Sequence, residues 1–385
     1  MERIFIDNTP QLQALLTEAL LQPRIAVDLE SDGLFRYRPR LCTLQLQVNA
    51  QLVVVDTLAI EDLSLLAPLL SEEGPQKVIH DLSFDARMLR RQGLPLGNVF
   101  DTALTARLLG LPATGLSALL KTYCNVQVDK ELQQYDWGRR PLEPHTLDYL
   151  YEDVAHLFNL QDALQQEVEN QGIMEELRAE THYTLAQALQ EPSAPPKPPW
   201  LRVKRAQHLS PLEQAVLRAL CNFREDVAAE RNVPPFRVLH DRMLLQLATI
   251  RPRNAGALRR GPARLPSHAQ PLIPGLLAAI HAGVNQKAPP TEDLASVPPP
   301  PPAGERSLRR KVEKALSSWR KAEAQRREVD PQVILPGHAL HDLAQHRPKT
   351  MPELEQVAGL GQGRIERYGS QWLTIVEQQQ ADNQG

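Results

Sequence analysis

Ile25-Ala26-Val27-Asp28-Leu29-Glu30 is the stretch on which the fold turns. Apolar residues interrupted by two acids at a spacing of two read as a β-strand whose carboxylates leave the same face. Like charges held that close raise each other's pKa and oppose folding unless something positive intervenes. A bound divalent cation is one such compensation, and a strand end where both carboxylates reach water is the other reading. Working outward, residues 41–48 alternate and 52–56 form a buried run, which makes three consecutive strands. A short strand precedes them, followed by a helix start at Asn8-Thr9-Pro10. Beyond them a helix is expected at 63–70, a strand at 77–80, a helix at 84–92 and a short strand at 98–100. Helices follow up to 109, at 116–122 and at 146–164. This order predicts one mixed α/β domain with helices on the sheet faces.

The chain has 385 residues, enough for two to four domains at roughly 100–200 residues each. Hydrophobic residues at 42% and charged residues at 23% exclude global disorder. Aromatics at 5% argue against a surface dedicated to stacking single strands. Cys42, Cys124 and Cys221 lack any paired spacing, so neither a disulfide framework nor a thiolate metal site is indicated, and a reducing, cytoplasmic compartment is expected. The amino terminus has no basic region followed by an apolar run, and no stretch reaches the ~20 apolar residues of a membrane span, so a soluble, unexported protein without membrane partners is expected. Charge is uneven: residues 1–190 carry net -12, which leaves +9 for 191–385 within the total of -3. An acidic half suited to cations is joined to a basic half suited to phosphates.

Prolines cluster at 191–199 and 297–302, reading as semi-rigid polyproline spacers. The helical segments beyond the first spacer repeat at an ungapped offset of 96 residues: Phe223-Arg224 matches Trp319-Arg320, Leu244, Leu247 and Ala248 match Leu340, Leu343 and Ala344, and Arg251-Pro252 matches Arg347-Pro348. Two copies of one small all-helical module are expected.

Further acids acquire meaning by position. Tyr149 and Asp153 are four apart on a predicted helix and share a face, as a solvated flank also would. Asp85 falls in the first turn of a helix, where the dipole favours a carboxylate in any case. In this order and on these elements, Asp28-x-Glu30, Asp85 and Tyr149-x-x-x-Asp153 resemble the tyrosine-bearing subclass of the DEDD superfamily of 3′→5′ exonucleases. Tyr37-Arg38-Pro39-Arg40-Leu41-Cys42-Thr43-Leu44-Gln45-Leu46, Phe100-Asp101-Thr102 and Asp136-Trp137-x-x-Arg140-Pro141-Leu142 look like the ribonuclease D family and its eukaryotic exosome relatives. Bacterial members commonly carry Phe after the first-motif Glu; here Ser31-Asp32-Gly33-Leu34 follows, closer to the exosome relatives. The repeated modules resemble the HRDC domain.

The resemblance implies a ribonuclease H-like exonuclease domain over 1–190, a linker at 191–206, a first HRDC domain at 207–286, a second linker at 287–304 and a second HRDC domain at 305–380. It implies that Asp28, Glu30 and Asp153 hold one divalent cation, Mg²⁺ or Mn²⁺, that Asp28 bridges to a second, and that Asp85 supports the second through water. Tyrosine ordinarily titrates near 10, a poor base at neutral pH, so Tyr149 is expected to orient the attacking water. The implied activity is release of nucleoside 5′-monophosphates from the 3′ ends of tRNA precursors and other structured RNA by a monomer. Two rivals stand beside it: a DNA exonuclease with the same site, and a non-catalytic nucleic-acid binder.

His80 and Phe84 flank Asp85 and are candidates to touch the terminal nucleotide, although Phe84 also reads as core. Asp101 reads as a helix cap, and Asp136, Trp137 and Arg140 as a structural knot in which the arginine pairs with a carboxylate. Gly361 and Arg364, in a glycine-containing hairpin, are a candidate phosphate contact or a plain turn. Arg251, Arg253, Arg259 and Arg260 of the first module, with Arg264, Arg202, Lys204 and Arg205, are a candidate footprint for a phosphate backbone or an ordinary solvated surface.

Overall fold

The computed structural model describes residues 1–128, 131–190, 197–295 and 301–381. Of the polyproline stretches expected at 191–199 and 297–302, residues 191–196 and 297–300 lie outside the described residues. By its contacts the chain forms two units: Met1–Glu30 with Leu41–Gln190 and Pro301–Gly385, and Ser31–Arg40 with Glu191–Pro300.

The first unit holds a six-stranded sheet, β1 (Glu2–Ile6), β2 (Arg24–Ser31), β3 (Leu41–Val48), β4 (Gln51–Asp56), β5 (Gln76–Ile79) and β6 (Val99–Asp101), in the order β1-β4-β3-β2-β5-β6. The β3–β4 hairpin is antiparallel, while β1 runs parallel to β4 and β2, β5 and β6 run parallel to one another. Helices α1 (Thr9–Ala19), α2 (Ala67–Leu70), α3 (Leu82–Arg91), α4 (Thr102–Leu108), α5 (Leu116–Leu119), α6 (Pro144–Ala155), α7 (Leu157–Gln171) and α8 (Met174–Leu189) cover it. The helix expected over 146–164 is broken at His156, whose φ of -120° and ψ of 2° leave the helical region.

Strand alternation divides the interior into two cores. Ile25, Val27 and Leu29 of β2 pack with Leu44, Val53 and Ile79 on one face. Ala26 packs with Cys42, Val54 and Val78 on the other, against Leu104 of α4, Leu150 of α6 and Leu160 of α7. A period of two therefore sends Asp28 and Glu30 to the face of Ala26, at the carboxyl end of β2.

The second helical module, α16 (Ala303–Arg327), α17 (Pro331–Ile334), α18 (Gly337–His346), α19 (Met351–Glu355) and α20 (Gln362–Ala381), belongs to this same unit. Its core gathers Leu316, Leu343 and Trp372, and Val333 joins the core of the α/β domain. Glu176 and Glu180 of α8, each 6% exposed, meet basic residues of the module. Arg364 Nη1 lies 3.3 Å from Glu180, Arg367 Nη1 3.3 Å from Glu176, and the His338 ring stacks on Tyr183 at 3.7 Å.

The second unit contains the first helical module, α9 (Pro199–Arg202), α10 (Pro211–Glu230), α11 (Pro235–Val238), α12 (Asp241–Ile250), α13 (Ala255–Arg260) and α14 (Ile273–Gln286), followed by the short α15 (Thr291–Ala295). The internal repeat is visible in its bonding. Arg224 Nη1 donates to the Leu239 carbonyl at 3.0 Å, and in the second module Arg320 Nη1 donates to Leu335 at 2.9 Å.

Candidate active site

One carboxylate oxygen from each of Asp28, Glu30 and Asp153 lies within 4.8 Å of the other two. Asp153 reaches the pair because α6 buries Leu150, Tyr151 and Val154 in the core shared with Ala26, which turns its next position toward the strand end. Asp85 stands with them electrostatically. Leu82, Asp85, Ala86, Met88 and Leu89 are the buried residues of α3, so the carboxyl takes a core position and is 2% exposed. Its Oδ2 is buried with no hydrogen-bond partner among the described residues. The turn ahead of it is fixed by Asp101, which accepts from the amides of Asp81 and Leu82 at 3.1 and 2.9 Å and from those of Ala103 and Leu104 at 2.8 and 3.0 Å. Asp101 is thus the expected cap, and it ties the starts of α3 and α4 together.

These carboxyls hold their protons unusually well. Burial pushes Asp28 up to about 7 against an opposing backbone hydrogen bond from Leu29. Burial, then the charges of Asp28 and Glu152, push Asp153 up to about 9. Asp85 is raised well above the carboxylate range by burial and by the nearby charges, Asp28 first. Ionising the group without a cation concentrates negative charge in a poorly solvated place. A divalent cation removes that penalty, and the hard, all-oxygen donor set with an orphaned Asp85 oxygen fits such an ion.

Tyr149 precedes Asp153 by one helical turn, and its ring is backed by Trp137 with centroids 5.8 Å apart. Trp137 is 1% exposed. Arg140 holds it by donating to its carbonyl at 2.7 Å while making a two-point pair with Asp56 at 2.6 and 2.7 Å. The knot expected around residues 136–140 therefore exists, with Asp56 from the end of β4 as its carboxylate. Asp136 instead accepts the Gly138 amide at 3.2 Å.

A cleft of about 400 Å³ opens over these groups, lined by Asp28, Glu30, His80, Ser117, Gln133 and Tyr149 among others. Ser117 and Gln133 escaped the sequence reading because neither sits in a spacing that marks it. His80 Nδ1 is 2.9 Å from the Thr102 hydroxyl, which itself donates to the Ile79 carbonyl at 3.2 Å. If the hydroxyl's single proton goes to that carbonyl, Nδ1 carries the ring proton and Nε2 is the acceptor. Burial lowers the His80 pKa, which favours this neutral ring. Phe84 is 42% exposed, which removes the core reading: the buried residues of α3 are 82, 85, 86, 88 and 89, and position 84 is not among them.

The expected phosphate contacts divide. Arg364 is 2% exposed and donates to the Val333 carbonyl at 2.8 Å as well as meeting Glu180, so it is an internal tie and not an RNA-facing charge. Gly361, with φ +77°, lies so close to α8 that a Cβ there would meet Ala179 at 2.8 Å. The hairpin is a docking edge, which corrects its reading as a phosphate contact. In the second unit Arg253, Arg259 and Arg260 are exposed, while Arg251 is half-buried 4.0 Å from Glu213. Arg251 and Arg253 border a groove of about 570 Å³ floored by Ile250, Ile280 and Val284.

Residues 4–169 match the profile of a 3′-5′ exonuclease family, and residues 213–280 and 309–376 match that of the HRDC domain. Ribonuclease D of Pseudomonas paraeruginosa is 30% identical over 260 residues, 64% of this chain and 68% of that protein. Ribonuclease D of Granulibacter bethesdensis is 29% identical over 362 residues, 91% of this chain and 88% of the relative. The aligned regions of such bacterial relatives span from 64% to 88% of their own length. The crystal structure of Escherichia coli RNase D, described as an exoribonuclease involved in structured RNA processing, superposes with a TM-score of 0.71 at 22% identity, covering 98% of this chain and 99% of that one. Fold, helical modules and sequence thus agree, and the chain belongs to the ribonuclease D family of 3′→5′ exoribonucleases.

Proposed function

We propose that this chain shortens RNA from its 3′ end one nucleoside 5′-monophosphate at a time, on tRNA precursors and other structured RNA, with two Mg²⁺ or Mn²⁺ ions. The observation that carries the reading is the trio of Asp28, Glu30 and Asp153 oxygens within 4.8 Å of one another, with a buried, unpartnered Asp85 oxygen behind it. Bound cations supply the charge that activates water and offsets the developing charge on the phosphate. Asp28, Glu30 and Asp153 would hold the first ion, with Asp28 shared by the second and Asp85 supporting it. The Tyr149 hydroxyl orients the attacking water, because Trp137 behind the ring limits its rotamers. The neutral His80, presenting Nε2, accepts a hydroxyl of the terminal ribose, and exposed Phe84 offers its ring to a base.

Arg259 and Arg260 of the first HRDC domain, with Arg251 and Arg253 at the edge of the groove, supply phosphate contacts along the strand. No helix among the described residues is long and apolar enough to cross a membrane, and none of the three cysteines is in a disulfide. We place the work of the enzyme in the cytoplasm, as a monomer. Asp28→Ala or Asp153→Ala in the full chain should abolish turnover of a 5′-labelled RNA while far-UV circular dichroism stays unchanged. Near-normal cleavage by either variant overturns the assignment.

A further inference from the structure

Residues Ser31–Arg40 join β2 to β3 in chain order, yet by their contacts they belong with the first helical module. The segment begins one residue after Glu30, a carboxylate of the site. Its tip is gripped twice. The Tyr37 hydroxyl donates to Glu225 of α10 at 3.1 Å, and its ring is packed on the module's core. The Arg237 guanidinium of α11 lies over the Phe35 ring, 4.1 Å from its centroid. Its neck is closed by Asp32, a side chain with no exposure, which accepts from the Arg40 backbone amide at 2.7 Å and from Arg40 Nε at 2.8 Å. The amides of Phe35 and Arg36 both donate to the Asp32 carbonyl, at 2.8 and 2.9 Å. A loop pinned at the tip and cross-braced at the neck transmits the position of its tip to the residues that enter it.

We propose that Phe35 and Tyr37 are positioning residues for the Glu30 carboxylate, so that the first HRDC domain, by holding this loop, sets the cation affinity of the exonuclease site. This rests on the metal reading of the site. Ligand oxygens must be placed to within about half an ångström for full affinity, so slack introduced at Phe35 or Tyr37, five and seven residues after Glu30, is felt as weaker binding. Glu30 is the only one of the four carboxylates whose chain leads directly into this loop.

The test uses the full chain without RNA and follows Mn²⁺ binding by electron paramagnetic resonance, beside kcat and KM on a short oligoribonucleotide. Phe35→Ala and Arg237→Ala should each raise the Mn²⁺ dissociation constant about five- to tenfold and lower kcat with little change in KM. Tyr37→Phe, which removes only a hydroxyl and leaves the packing intact, should raise the constant about two- to fivefold. Arg237→Lys keeps a cation over the Phe35 ring and should restore most of the affinity. Wild-type Mn²⁺ affinity in Tyr37→Phe, Phe35→Ala and Arg237→Ala together overturns the proposal while leaving the site reading intact. Absence of Mn²⁺ binding in the wild-type protein overturns both.

Discussion

Replacing Asp28 by Asn should stabilise the metal-free protein at pH 8 while destroying its activity. Asp28 titrates at about 7 in the folded protein against an ordinary 3.8, a difference of about three units. At about 1.4 kcal/mol per unit that is a ceiling of about 4 kcal/mol. Asp28 keeps some contact with solvent and shares its repulsion with Asp85 and Asp153, so about half of the ceiling, or ~2 kcal/mol, is expected. The sign follows from the protons. Between pH ~4 and ~7 the folded protein keeps a proton on Asp28 that the unfolded chain has released, so wild-type stability falls as pH rises through that window and stays low above it. Asn is isosteric, can still accept from the Leu29 amide, and has no such loss. In EDTA the two proteins should differ little at pH 4.5, and at pH 8 the variant should melt roughly 4–8 °C higher, at 2–4 °C per kcal/mol for a domain of this size. With Mg²⁺ in excess the order should reverse, because only the wild type gains stability from the bound cation. Scanning calorimetry at the two pH values measures all of this. A variant no more stable than wild type in EDTA at pH 8 would refute the idea that the carboxyls are held under electrostatic stress for a cation.

Three further expectations follow from the same geometry. Tyr149→Phe should lower kcat by roughly ten- to a hundredfold with unchanged Mn²⁺ affinity, below the 10²–10⁴-fold typical of a lost proton-transfer group, and a larger loss in steady-state kinetics would make Tyr149 a base. Asp56→Ala strands the Arg140 guanidinium, so urea denaturation should show a loss of about 3 kcal/mol, with kcat falling as Trp137 loosens behind Tyr149; an unchanged midpoint contradicts this. Arg364→Ala takes the guanidinium away from buried Glu180, which keeps His338 Nε2 at 3.2 Å, so its cost has an expected ceiling of about 3 kcal/mol, and it should speed limited proteolysis between the α/β domain and the second HRDC domain; protection equal to wild type would show that the tie is dispensable.

The sheet was legible because its strands obey a period of two: Ile25, Val27 and Leu29 go to one core and Ala26 to the other, which already puts Asp28 and Glu30 on one face. Asp85 was legible as a first-turn acid that took its meaning from its order among the motif residues, while its burial among the apolar residues of α3 is seen only in the folded chain. Phe84 was not, since an aromatic beside those residues reads as core until the helix is docked and position 84 is seen to face outward. Arg364 misled for a different reason. A basic residue beside a glycine turn has the local chemistry of a phosphate site, and the acid that claims it, Glu180, lies 184 residues upstream. Asp56 as the partner of Arg140 is equally non-local, 84 residues away. The proline clusters mark spacers and carry no information on which module packs where; contacts join the second helical module to the α/β domain and give the loop after Glu30 to the first.

The most direct measurement is product analysis of a 5′-labelled single-stranded RNA, with a matched DNA strand beside it, incubated with the full chain and Mg²⁺ or Mn²⁺ and repeated in EDTA. A ladder shortening from the 3′ end of the RNA, weaker on DNA and abolished by EDTA, is the expected result. RNA bound but left intact with either cation, or DNA cut more strongly than RNA, would contradict a metal-dependent exoribonuclease built on Asp28, Glu30, Asp85 and Asp153.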